Sequence, residues 1–230
     1  GVLTVPFIPA LKKLGITSIN LSIDTLDRDR FKLITRRDEV QRVKTAMYKI
    51  LEADIPLKIN AVVIEGKNEQ DITELAELTK DLPIGVRFIE EMPFNGEGAH
   101  YAKLKWDYRR ILARLHDHFG PLDKLESESH ATATNYKIPG HKGTVGVIPA
   151  YTRTFCGSCN RIRITSQGTL KTCLYDNGVL DIKSLIRSGA SDAQLKEVFL
   201  NRFKSRAKDG FEAESSRPNE VAESMSEIGG

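Results

Sequence analysis

The chain has 230 residues, 40% of them hydrophobic, which is enough to bury the core of one large domain or two small ones. Its 34 Lys and Arg residues against 31 Asp and Glu residues leave a formal charge of +3, a balance that argues against nucleic acid or membranes as partners. No apolar run approaches the roughly 20 residues that span a bilayer, and residues 1–15 lack the pattern of a secretory signal, so a cytoplasmic location is expected.

Strands alternate with helices in the first part of the chain. In order, the pattern predicts a helix, strand, helix, strand, helix and strand, at residues 7–14, 16–23, 39–53, 57–64, 72–78 and 84–90. This alternation is typical of a parallel sheet, either doubly wound or part of a barrel. The chain opens on a helix whose own strand should lie upstream, and only three parallel strands are visible, so we expect a truncated N-terminus.

The pattern changes after Glu90. A polar loop is followed by predicted helices near 105–119, 182–186 and 191–207, the last opened by a capping box at Ser191. Short strands are predicted at 134–138 and 144–149. The residues from Asp209 onward are polar and predict a mobile tail.

The three cysteines of the chain fall in one segment. Cys156 and Cys159 form a C-x2-C pair, and Cys173 follows them. Clustered cysteines without distant partners are typical of metal binding in a reducing compartment. A closed structural zinc site needs four protein ligands, whereas an iron–sulfur cluster held by three thiolates leaves one iron free for another ligand.

Arg161 and Arg163 follow the cysteine pair and alternate with Ile162 and Ile164. On an extended strand both guanidinium groups would project from one face. Beside an open metal position they suit an anionic, hydrogen-bonding ligand such as a nucleotide. A solvated strand face would show the same alternation, so the pattern alone leaves both interpretations open.

Polar residues also lie on the predicted parallel strands. Lys58 and Arg87 alternate with apolar neighbours and are candidates for phosphate binding inside a barrel, or for ordinary surface positions. Ser22, Asn60 and Met92 could line a pocket at the carboxyl ends of the strands. Ordinary polarity at strand ends explains these three equally well.

The cysteine segment, residues 155–165 with 168–174, resembles the C-terminal cluster motif of the MoaA family. These are the radical S-adenosylmethionine GTP 3′,8-cyclases of molybdenum cofactor biosynthesis. Residues 20–26, 58–62 and 87–93 resemble the same family in chain order, as does the closing Gly229-Gly230. The resemblance implies an α/β fold, an incomplete (β/α) TIM-type barrel of the radical S-adenosylmethionine class with a C-terminal iron–sulfur extension. It divides the chain into part of the barrel, the cluster and GTP segment, and the tail, at residues 1–95, 96–208 and 209–230.

The resemblance also implies roles for individual residues. A 4Fe–4S cluster, whose free iron contacts the guanine of GTP, would be held by Cys156, Cys159 and Cys173. GTP would be bound by Lys58, Arg87, Arg161, Ile162 and Arg163, and S-adenosylmethionine by Ser22 and Met92. Arg161 and Arg163, together with the terminal Gly229 and Gly230, would assist catalysis.

The activity implied is conversion of GTP to (8S)-3′,8-cyclo-7,8-dihydroguanosine 5′-triphosphate, started by a 5′-deoxyadenosyl radical from S-adenosylmethionine. In the family that radical forms at a second 4Fe–4S cluster bound by an N-terminal CxxxCxxC motif, which this chain lacks. We therefore expect that the 230 residues alone do not catalyse this conversion of GTP. The resemblance further implies a homodimer, and a MoaC-type cyclic pyranopterin monophosphate synthase that receives the product.

Two other functions fit part of the pattern. The three cysteines with a histidine such as His141 would form a zinc site on a nucleic-acid-binding module, although the chain lacks a broad basic composition. A radical S-adenosylmethionine enzyme that modifies a peptide would also carry an auxiliary cluster. The Asn160-Arg161-Ile162-Arg163 run and the terminal Gly-Gly argue against that second alternative.

Overall fold

The computed structural model describes residues 1–92 and 105–217. The described residues form two compact units, of which the first contains 1–91 and 105–152 and the second contains 92 and 153–217. Packing thus assigns residues 105–152 to the same unit as the first parallel strands. The functional division at residue 95 that the resemblance implies stays a prediction.

The first unit contains a mixed sheet with the strand order β1-β2-β3-β6-β5-β4. Its strands are β1 (Ile19–Ser22), β2 (Leu57–Val63), β3 (Gly85–Glu90), β4 (Asp123–Lys124), β5 (Thr134–Lys137) and β6 (Thr144–Ile148). β1, β2, β3 and β6 are parallel, and β5 and β4 extend the sheet in antiparallel pairing. The predicted α/β class with a parallel sheet is confirmed.

Helices cover one face of this sheet. The helices of the first unit are α1 (Ile8–Lys13), α2 (Arg28–Thr35), α3 (Val40–Glu52), α4 (Asp71–Asp81) and α5 (Tyr108–Phe119). Apolar residues of α3, α4 and α5, such as Met47, Leu75 and Leu115, form one continuous core with strand residues such as Ile59 and Phe88. The core therefore lies between the helices and one side of the sheet.

The second unit is built from short elements. It contains an antiparallel sheet of β7 (Arg163–Ile164), β8 (Thr169–Lys171) and β9 (Leu180–Asp181). Its helices are α6 (Ile182–Arg187), α7 (Asp192–Lys204) and α8 (Gly210–Ser215). Within the described ranges, no helix of either unit is long and apolar enough to cross a membrane.

Several elements have no clear signal in the sequence. α2 buries Phe31 alone, so its apolar periodicity is weak, and Asp27 defines its start by accepting a hydrogen bond from the Arg30 N–H. α8 lies in the segment that the sequence assigns to a mobile tail, and Asp209 caps it by accepting from two backbone N–H groups. Caps of this kind lie outside the apolar pattern on which the predictions depend.

Glu90, the last residue of β3, has a fully buried carboxylate. It accepts hydrogen bonds from the backbone N–H of Tyr108 at 2.6 Å, of Tyr151 at 2.9 Å and of Thr152 at 2.7 Å, and from the Thr152 hydroxyl at 3.0 Å. These donors belong to the first turn of α5 and to the segment after β6. One carboxylate thus joins the ends of two strands and the start of a helix.

We expect Glu90→Gln to lower the free energy of unfolding by about 2 kcal/mol or more, because the amide NH2 would face N–H groups and leave buried donors unpaired. Urea denaturation followed by circular dichroism measures the effect. Glu126→Gln, which removes the same charge at an exposed position, should change stability little. Equal stability of the two variants would contradict the role given to Glu90.

Candidate functional site

The face of the first sheet that lies opposite the helices is polar. Ser22, Asn60, Arg87, Gly146 and Asn135 follow one another in register across β1, β2, β3, β6 and β5. Strands of parallel sheets covered by helices on both faces are usually apolar throughout, so this polar row indicates a face that contacts a ligand or solvent.

Asn20 and Lys58 lie on the same face, one pleat away. Lys58 is exposed, and its Cγ lies 3.6 Å from the point where a Cβ would stand on Gly85 of the next strand. The aliphatic part of the Lys58 side chain therefore packs over Gly85. The structure places Lys58 and Arg87 on one face of neighbouring strands, as their alternation predicts.

Arg87 is half-buried and donates from Nη2 to Oδ1 of Asn20 at 2.6 Å. Its burial lowers the pKa of the guanidinium. Among the described residues, Nε of Arg87 and Oδ1 of Asn60 are buried without a hydrogen-bond partner. Because buried polar atoms are nearly always paired, a free donor beside a free acceptor suits a ligand with hydroxyl or phosphate groups.

Gly146 and Asn135 belong to this face, although sequence reasoning did not select them. A Cβ on Gly146 would stand 2.6 Å from Oδ1 of Asn135 and 3.3 Å from Cγ of Arg87. The glycine thus makes room for both side chains. Only the register of β5 on β6 brings Asn135 beside Arg87, and no local motif encodes that register.

The three cysteines lie in the second unit and are half-buried free thiols. Cys156 begins a short 3-10 turn, and the N–H of Cys159 donates to its carbonyl at 3.1 Å. Cys173 follows β8 in a loop shaped by the Asp176 carboxylate, which accepts from the N–H groups of Thr172, Cys173 and Gly178 at 2.8 to 2.9 Å.

The thiols experience different electrostatic surroundings. Burial raises the pKa of Cys159, but the Arg161 backbone and the nearby Arg206 guanidinium outweigh burial and hold the pKa below its ordinary value. Burial raises the pKa of Cys173, and the charges of Asp176 and Cys156 add to that rise. Charge on Cys156 therefore acts on Cys173, and Arg206 acts on both Cys159 and Cys173.

The three thiols are the ligand type that holds iron–sulfur clusters. Within the described residues, no three Cys, His, Asp or Glu side chains lie close enough together to share one ion. In a cluster the thiolates bind different irons, so three ligands need not converge on one point. The nearby Asp176 carboxylate is occupied by backbone donors, which leaves thiols as the available ligands.

Arg161 is exposed and Arg163 is half-buried. Burial lowers the pKa of Arg163, and the positive charge of Arg161 lowers it further, so the two guanidinium groups are close enough to repel each other. The predicted strand begins only at Arg163, while Arg161 and the exposed Ile162 precede it. The ring of Phe155 lies 5.9 Å from the Arg161 guanidinium.

The remaining predicted residues are placed separately. Ser22 is exposed on the polar face of the first unit, whereas Met92 packs against Tyr175 and Ala213 in the second. His141, the histidine of the zinc alternative, belongs to the first unit, where its Nδ1 lies 2.9 Å from the Thr79 hydroxyl. Gly229 and Gly230 lie outside the described residues.

Arg153 is a buried cation that the sequence did not single out. Its guanidinium stacks 3.5 Å from the centre of the Tyr175 ring and 4.4 Å from that of Phe211. It donates to the Gly210 carbonyl at 2.9 Å and pairs with Glu214 at 2.7 Å. Arg153 therefore fixes α8 beside the cysteine segment, where a Cβ on Gly210 would stand 3.4 Å from the Cys156 sulfur.

Two protein-family models match the sequence of this chain. The family model described as Molybdenum Cofactor Synthesis C matches residues 84–211, and that of the Radical SAM superfamily matches residues 1–79. The parallel sheet with a polar face and the three-cysteine segment thus belong to a radical S-adenosylmethionine protein. The chain belongs to the MoaA family of molybdenum cofactor synthesis.

Individual relatives carry matching names. A GTP 3′,8-cyclase of Chlorobaculum tepidum is 33% identical over the whole chain and 69% of its own length. A GTP 3′,8-cyclase of Syntrophomonas wolfei is 36% identical over 90% of the chain and 64% of its own length. Molybdenum cofactor biosynthesis protein 1 of Bos taurus is 39% identical over 86% of the chain, which spans only 31% of that relative.

We expect Arg153→Gln to destabilise the second unit by about 2 to 3 kcal/mol, because it removes two ring contacts and a buried charge-assisted hydrogen bond. Arg153→Lys should restore little of this loss, since an ammonium group cannot stack and bond in the same geometry. Hydrogen exchange over α8 measures the effect. Arg202→Gln on exposed α7 is the control, and equal protection in both variants would contradict the prediction.

Proposed function

We propose that the protein to which this chain belongs is a GTP 3′,8-cyclase of molybdenum cofactor synthesis. The observation that carries the proposal is the group of three half-buried thiols, with Arg161 and Arg163 directly after the first two in the chain. Relatives named GTP 3′,8-cyclase, which the chain matches over most of its length, support it. The substrate would be GTP and the product (8S)-3′,8-cyclo-7,8-dihydroguanosine 5′-triphosphate.

In this proposal Cys156, Cys159 and Cys173 hold a 4Fe–4S cluster that offers one open iron to the guanine base. Arg161, Ile162 and Arg163 would bind GTP from the adjoining segment, and the charges of the two arginines favour the anionic nucleotide. Gly229 and Gly230 would assist the radical step. An oxygen-sensitive cluster of this kind suits a reducing compartment such as the cytoplasm.

The polar face of the first sheet would bind the rest of the reactants. Lys58 and Arg87 present cationic groups on neighbouring strands, and the unpaired Nε of Arg87 is a donor for a phosphate oxygen. Ser22 on this face would contact S-adenosylmethionine, and we propose the same role for Met92 of the second unit. We infer that this sheet is part of an incomplete TIM-type barrel. The parallel strands β1, β2, β3 and β6 would form part of the barrel wall.

Further parts of the reaction require groups outside these 230 residues. The radical would come from S-adenosylmethionine at a second 4Fe–4S cluster, whose CxxxCxxC ligands are not in this chain. We therefore propose that the chain alone binds but does not convert GTP. A homodimer and a MoaC-type synthase that takes the product complete the proposal.

The first test is anaerobic iron–sulfur reconstitution of the chain, followed by electron paramagnetic resonance of the reduced protein with and without GTP. We expect a 4Fe–4S signal that shifts with GTP and that Cys173→Ala abolishes, since a cluster retained by two thiolates is much weaker. Stoichiometric zinc without a cluster would favour the zinc-binding module. A cluster indifferent to GTP would favour a peptide-modifying enzyme.

A second prediction concerns the phosphates. Lys58→Gln should raise the Kd for GTP about tenfold while leaving that for guanosine unchanged, because a charge-assisted contact to phosphate is lost. Isothermal titration calorimetry of the reconstituted chain measures both constants. Lys67→Gln, which removes an exposed lysine after β2, is the control. Equal weakening of both ligands would show that Lys58 does not act on the phosphates.

A further inference from the structure

Arg206 lies in the connection between α7 and α8, outside the cysteine motif. Its Nη1 donates to the carbonyl oxygen of Cys159 at 2.6 Å. The two residues are 47 positions apart in the chain. The residue is half-buried, so this bond is only partly screened by water.

The same guanidinium also reaches the thiols. Its positive charge acts on both Cys159 and Cys173, where it favours the thiolate form. Among the described residues, Arg206 forms no ion pair with a carboxylate. No carboxylate of the described residues thus neutralises the charge, which lies close to two of the three candidate ligands.

We propose that Arg206 is a positioning residue of the cluster site that fixes the Cys159 peptide and sets the reduction potential of the cluster. The inference rests on the proposed function, because it requires that the three thiolates hold a cluster. One-electron reduction adds one negative charge to a cluster that thiolates already make negative. A fixed positive charge that is hydrogen-bonded to the peptide of a ligand cysteine stabilises that reduced state.

The charge and the N–H donors of Arg206 distinguish this role from simple packing. A guanidinium is a permanently charged donor, so one side chain can hold the Cys159 carbonyl and place a positive charge beside the thiols. A packing role would need only the aliphatic stem and would leave the potential unchanged. The midpoint potential is therefore the measurement that separates the two roles.

The test uses the whole 230-residue chain, whose three cysteines allow a signal from this cluster alone. After anaerobic reconstitution, the cluster is titrated with a low-potential one-electron reductant and mediators, and the reduced form is followed by electron paramagnetic resonance. In Arg206→Gln, the ratio of reduced to oxidised cluster at a fixed potential should fall about tenfold, which is a shift of about 59 mV. Arg206→Lys keeps the charge and should stay within about twofold of the wild type.

Arg202→Gln is the matched control, because it removes the same charge from exposed α7 and should leave the potential unchanged. The inference is overturned if Arg206→Gln and Arg202→Gln share the wild-type potential. It is also overturned if Arg206→Lys shifts as far as Arg206→Gln, since charge would then not be the cause. If Arg206→Gln fails to fold, Arg206→Met, which keeps an aliphatic stem of similar length but removes the charge, is compared with Arg202→Gln by the same criterion.

Failure of the proposed function gives a different result. A wild-type chain that takes up no cluster, or a cluster whose signal ignores GTP, contradicts the cyclase proposal before any Arg206 variant is compared. A GTP-sensitive cluster with the same potential in all variants contradicts only the role of Arg206. A folded Arg206→Gln chain that loses the cluster while Arg206→Lys retains it supports the positioning role.

Discussion

The first unit depends on satisfying one buried carboxylate. Glu90 ends β3 on the side that faces the helices, where an unpaired charge would be severely unfavourable. The backbone N–H groups of Tyr108, Tyr151 and Thr152 donate hydrogen bonds to this carboxylate. They can reach it only if α5 begins beside β3 and the chain leaves β6 close to the end of β3. The carboxylate therefore fixes the ends of β3 and β6 together, two neighbouring parallel strands whose opposite sides form part of the polar face.

The elements and the polar face were largely predictable because they depend on local patterns. Alternation of apolar and polar residues places Ser22, Lys58, Asn60 and Arg87 on one side of their strands, and the structure agrees. Asn135 could not be found in the same way. It joins the row only through antiparallel pairing of β5 with β6, and the small side chain of Gly146 that admits it has no meaning until that register is known.

In the second unit too, local sequence patterns predict some residues of the site, whereas others depend on contacts between distant parts of the chain. The C-x2-C spacing and the two following arginines can be read directly from the sequence. Arg153 and Arg206 acquire their roles from partners far along the chain, at Gly210 and Cys159. Neither lies in a motif, and an arginine in a polar connection is ordinarily solvated. The residues that position a site are thus harder to predict than those that would bind its ligand.

Burial gives Arg87 of the first unit and Arg163 of the second unit a common physical property. Arg87 and Arg163 each have a pKa lowered by burial, which means that the protein withdraws part of the water that would otherwise stabilise their charge. An anionic ligand replaces that lost solvation, so its binding gains more at such a cation than at a fully hydrated one. The gain is also screened less by salt, because the pair is partly shielded from counterions. Two half-buried arginines of this kind thus favour an anionic ligand, as the proposed GTP contacts require.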